Sequence, residues 1–132
     1  MDDSASPHLE IHEITFDAAD PHRLATFWAH LLDREVRPGD MPADDSVLVA
    51  GRPGQPGLLF LHVPEGKTAK NRLHLDVRVA GREVRGEARK RLVSEHVERL
   101  VQAGASLAWR TDDVRGSSVT LYDPEGNEFC VT

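Results

Sequence analysis

The sequence predicts an α+β fold made of two consecutive modules on one plan, each a strand, a helix and three further strands. Three observations predict it. Segments with alternating apolar and polar residues open each half, at Leu9–Asp17 and Arg72–Val79. Each is followed by residues at helical spacing: Leu24, Phe27, Trp28 and Leu31, then Leu92, Val93, His96, Val97, Leu100 and Val101. The order of elements then restarts after a polar stretch, and a weak internal duplication is the economical explanation.

In order along the chain, residues 1–8 read as a tail. In the first strand Ile14 and Phe16 share one face, and Glu13, Thr15 and Asp17 the other. Asp20 is an N-cap candidate with Pro21 at the first helical position, so a helix is expected over 21–32. Residues 33–37, 47–50 and 58–63 read as strands, separated by a loop at 38–46 and a Gly/Pro-rich turn at 51–57. Residues 65–71 are polar and read as a linker. The modules are then about 9–64 and 72–132 of a single domain.

In the second module, Leu73, Leu75, Val77 and Val79 alternate with Arg72, His74, Asp76 and Arg78. Gly86 delays the second helix until after it. Gly104 stands where a left-handed residue ends a helix. Mixed-sign residues 83–91 read as a solvated helix face. Short strands are expected at 106–110, 118–122 and 127–132. The last two flank Asp123-Pro124-Glu125-Gly126-Asn127, a tight turn: Pro124 pre-sets φ, Gly126 tolerates positive φ, and Asp123 and Asn127 bond nearby backbone. In the closing strand Phe129 and Val131 face one way, and Glu128, Cys130 and Thr132 the other.

Composition narrows the function classes. Of the 132 residues 29% are charged and 39% hydrophobic, as in a soluble globular protein. The net charge of −6, with no basic tract interleaved with aromatics, argues against nucleic acid. No apolar run approaches a membrane span. One cysteine permits no internal disulfide, and residues 1–7 show no signal-peptide pattern, so a cytoplasmic protein is expected.

Asp20-Pro21 leading into Leu24, Phe27-Trp28 and Leu31-Leu32, then Arg72–Val77, Ala103-Gly104-Ala105 and Asp123–Phe129, together resemble the vicinal oxygen chelate (glyoxalase/bleomycin-resistance/dioxygenase) superfamily, within it the small bacterial glyoxalase-like proteins. The resemblance covers about residues 9–132. It implies two βαβββ modules whose mixed sheets curl around a central cup, and a homodimer. It also implies metal ligands on the first and last strands of each module, which fall at Glu13, His62, His74 and Cys130. In the family the last-strand ligand is usually a glutamate. Here Cys130 stands in that slot, and Glu128 lies two residues earlier.

From these residues, His74 with Glu13 and His62 form the expected metal set for a divalent Zn, Ni, Mn or Fe ion, with no nucleotide or flavin cofactor. His74 could equally be a hydrogen-bonded pocket residue. Glu13 and Glu128 are the candidate proton carriers, or else carboxylates paired with arginines such as Arg72 or Arg78. Asp17, Arg72, Asp76, Trp109 and Cys130 are candidate substrate-binding residues, with ion pairing or packing as the plainer role of each. The expected function is action on a small oxygenated substrate, of lyase, isomerase or dioxygenase type. The alternative is metal-free binding of a small molecule or antibiotic by the same fold.

Overall fold

A computed structural model describes residues 8–39, 45–113 and 116–132. The chain forms two compact units, Met1–Val63 and Pro64–Thr132.

The first unit contains β1 (Glu13–Ala18), α1 (Pro21–Leu32), β2 (Val36–Pro38), β3 (Ser46–Val49) and β4 (Gly57–His62), in a sheet of order β1-β4-β3-β2. The helix has the bounds its sequence signals require. The Asp20 side chain accepts from the Arg23 N–H at 3.2 Å, and Pro21 opens the first turn. Leu24, Phe27 and Trp28 are buried, and Phe16 lies between Trp28 and Phe60 at ring distances of 5.6 and 5.0 Å. Burying each such side chain stabilises the unit by about 1.5–3 kcal/mol. β1 and β4 run parallel while the other pairs are antiparallel. β2 begins later than expected and ends at Pro38, which an outer strand accommodates.

The second unit repeats the plan with β5 (Leu75–Val77), α2 (Gly86–Gln102), β6 (Ser106–Asp113), β7 (Gly116–Tyr122) and β8 (Glu128–Val131), in the order β5-β8-β7-β6. β5 and β8 are again the parallel pair. The two sheets therefore share one strand order and one pattern of directions, which is the α+β fold of paired βαβββ modules. Leu121, Phe129 and Val131 are buried on the face that also holds Val119, and α2 adds Val93, Val97 and Leu100 to the core. β5 is shorter than the alternation in 72–79 suggested, because only residues 75–77 pair with β8 in strand register. β6 runs longer than expected, and its register shifts between Leu107 and Trp109. Gly104 takes φ 125°, as a residue just past a helix end often does.

The turn from β7 to β8 is held by one carboxylate. Asp123 is 2% exposed and accepts from the N–H groups of Glu125 (2.9 Å) and Asn127 (3.0 Å) and from the Asn127 side-chain amide. Gly126 supplies the positive φ of 87°. Asp123→Ala would leave these donors without an acceptor. It is expected to lower stability by roughly 2–4 kcal/mol, measured by urea denaturation, since hydrogen bonds to a buried charge are worth more than neutral ones.

Candidate functional site

Strand register builds the polar face of the second unit. Asp76 stands directly beside Cys130 in the parallel β5–β8 pair. His74 lies two residues before Asp76 and so on the same face. Thr120 is the antiparallel partner of Cys130, and its hydroxyl lies 3.2 Å from the thiol sulfur. His74 Nδ1 is 3.2 Å from the Asp76 carboxylate and 4.0 Å from Cys130 Sγ. One donor atom from each of the three lies within 4.8 Å of the others. His74 and Asp76 are open to solvent, with side chains 49% and 64% exposed.

The donor set suits a borderline-soft divalent ion. Zinc bound at ~2.0–2.3 Å in a tetrahedron needs donors ~3.3–3.7 Å apart, and the observed 3.2 and 4.0 Å spacings lie on either side of that range. Imidazole, carboxylate and thiolate are all zinc ligands, and three protein donors leave a position open for water or substrate. His74, Asp76 and Cys130 also line a cavity of about 790 Å³. Arg78, Arg82, Arg85 and Arg89 share its wall with Thr111, Ser118 and Thr132.

Glu128 has a different place from the one expected of a proton carrier. It is 6% exposed, and its carboxylate accepts from Lys67 Nζ at 3.0 Å and from the Asn71 N–H at 2.9 Å. Burial pushes its pKa up. The Lys67 hydrogen bond, the backbone N–H donors and the lysine charge outweigh that and hold it below its ordinary value. The carboxylate thus latches the segment before β5 to β8. The polar stretch expected to be a linker supplies both partners.

The expected metal set needs correction in the first unit. Glu13 pairs in register with Gly57 and His62 with Ala18, at opposite ends of the β1–β4 pair. By alternation Glu13 shares a face with Thr15 and Asp17, whereas His62 shares the face of Phe60. One ion cannot take both. Glu13 is half-buried, with the His12 ring 3.7 Å from its carboxylate. Asp17 and Arg72 are exposed. The register shift in β6 turns Trp109 to the side of Thr120, and the Lys70 ammonium lies 5.6 Å from its ring. Neither glutamate is ion-paired to Arg72 or Arg78 among the described residues.

The arginine cluster is not legible in the sequence, since Arg85 and Arg89 belong to the mixed-sign stretch 83–91 while Arg78 and Arg82 lie outside the helix.

A glyoxalase-like domain model matches residues 13–132. The chain belongs to that family. No curated protein matches the chain. Among solved structures, a glyoxalase/bleomycin resistance protein/dioxygenase family enzyme from Burkholderia phytofirmans superimposes with a TM-score of 0.72 at 15% identity, covering 93% of this chain and 97% of that one. A lactoylglutathione lyase from Agrobacterium tumefaciens gives 0.60 at 18% identity, with 95% and 93% covered. A fosfomycin resistance protein from Mesorhizobium loti gives 0.62 at 15%, with 94% and 89% covered. At these identities the likeness is one of fold. No described helix of this glyoxalase-like protein is long and apolar enough to cross a membrane.

The depressed Glu128 pKa gives a pH test with a definite sign. The carboxylate contributes stability above its unfolded value, about 4.3, and that contribution is lost as pH falls through the lower folded value. Glu128→Gln is expected to cost about 1–3 kcal/mol at pH 7. The gap to the parent should shrink in urea titrations at successively lower pH below about 4. A gap equal at both ends of the range would contradict the latch.

Proposed function

We propose that this glyoxalase-like protein acts on a small oxygenated molecule in the cavity of its second unit, with a divalent ion of the zinc type held by His74, Asp76 and Cys130. The observation that carries this reading is the convergence of imidazole, carboxylate and sulfur donors on the wall of that cavity. Such an ion supplies Lewis-acid polarisation of a substrate oxygen and stabilisation of an oxyanion. The protein's own residues do the rest. Register fixes Cys130 beside Asp76, Thr120 orients the sulfur, and the solvent-open His74 and Asp76 leave room for substrate.

The structural relatives include a lactoylglutathione lyase, an oxidase and a fosfomycin resistance protein. They support a reaction of lyase, isomerase or dioxygenase type without choosing among these. A second reading, metal-free binding of a small molecule, is favoured by the short His74–Asp76 contact, which satisfies both groups without an ion.

Metal analysis decides between the two. Untagged protein equilibrated with Zn²⁺, then dialysed, is expected to retain one ion per chain by plasma emission spectrometry. His74→Ala is expected to lose it. Cys130→Ser is expected to bind at least about tenfold more weakly, because a hydroxyl replaces a soft thiolate. Retention of no Zn²⁺, Ni²⁺, Mn²⁺ or Fe²⁺ by the parent protein would leave the binding-protein reading standing.

A further inference from the structure

The cavity of the second unit carries a charge opposite to that of the chain. The net charge is −6, yet four arginines line this cavity against a single acidic side chain, Asp76, which is paired with His74. Arg89 is committed to the fold. Its guanidinium donates to the carbonyls of Ala80, Gly81 and Val84 and to the main-chain oxygen of Thr132 at 2.9–3.4 Å and draws the 80–84 turn around itself. Arg85 gives only its Nε, to the Arg82 carbonyl at 3.1 Å. Among the described residues, Arg78 and Arg82 donate to no carboxylate or carbonyl, and the terminal nitrogens of Arg85 are also unengaged.

Three exposed guanidinium groups therefore line one cavity, and among the described residues no acidic side chain is paired with them. An anion entering the cavity would meet all three positive charges. They arrive from three places: Arg78 directly after β5, Arg82 in the turn, and Arg85 at the N-cap of α2. Arg85 makes no side-chain cap, and Gly86 beside it lines the cavity, so the positive end of the 17-residue helix adds to the same field. A carboxylate is satisfied by one guanidinium in a two-point contact. A phosphoryl-type group has three terminal oxygens and up to two charges, so it can engage more than one guanidinium at once.

We propose that this cavity takes a substrate bearing a phosphoryl-type group, a phosphate monoester or a phosphonate, held by Arg78, Arg82 and Arg85. The substrate's remaining oxygens then face His74, Asp76 and Cys130. Only this last contact rests on the reading of the triad given above; the anion site stands on the arginines.

Calorimetric titration in 0.15 M NaCl tests it, first on protein stripped by a chelator and then on zinc-loaded protein. The stripped protein is expected to bind inorganic phosphate and phosphonoacetate, and acetate at least about tenfold more weakly. Arg82→Gln combined with Arg85→Gln is expected to weaken phosphate binding by at least about tenfold. Arg99→Gln, in the last turn of the same helix, is expected to leave it unchanged. Thermal unfolding verifies that each variant is folded; where the double variant is not, the single Arg82→Gln replaces it. Absence of phosphate binding, equal binding of acetate, or a double variant that binds like Arg99→Gln would overturn the proposal. Phosphate binding without zinc retention removes the triad reading and keeps the anion site. Zinc retention without phosphate binding does the reverse.

Discussion

The parallel pairing of β5 with β8 is the constraint on which the second unit's chemistry depends. It puts Asp76 beside Cys130 and, by alternation, His74 on the same face. A slip of one residue would move that whole set of β8 side chains to the packed face and bury Cys130 with Phe129's neighbours. Two features prevent the slip. Phe129 and Val131 are almost wholly buried, so the apolar face has one acceptable orientation. The Asp123 carboxylate closes the turn that delivers β8, which sets where the strand starts.

The same strand carries two acidic or acid-like groups with opposite fates. Glu128 and Cys130 point to one side, two residues apart. Glu128 is drawn under Lys67 and the Asn71 N–H and loses contact with water. Cys130 keeps a partly open sulfur within reach of His74. A buried charge is tolerable only where it is paired and hydrogen-bonded, and the segment before β5 provides that pairing. The carboxylate that resembles a family ligand thereby becomes a structural latch, and the thiol takes the position next to the cavity.

The cavity shows how a locally positive site arises in an acidic chain. One arginine, Arg89, is used up in carbonyl hydrogen bonds and shapes the turn. The turn in turn carries Arg82 and leads to Arg85, and both remain free to face a ligand. Electrostatics at short range depends on which side chains converge, and the net charge of −6 says little about it.

Much of this was legible in the amino acids. Asp20-Pro21 and the stripe Leu24–Phe27–Trp28 specify α1, because capping and a one-sided apolar face are local properties. The repeated order of elements and the Asp123–Asn127 turn specify the fold for the same reason. Alternation alone already put His74 with Asp76, and Cys130 on a polar face. The sequence could not say which strands would be neighbours, since register joins residues more than fifty positions apart. That choice made Asp76 and Cys130 partners, separated Glu13 from His62, gave Glu128 to Lys67 and gathered Arg78, Arg82 and Arg85 around one cavity. Local physics therefore determined the elements and the faces of this glyoxalase-like protein. Strand pairing and the folding of the turn around Arg89, both long-range, decided which polar groups meet.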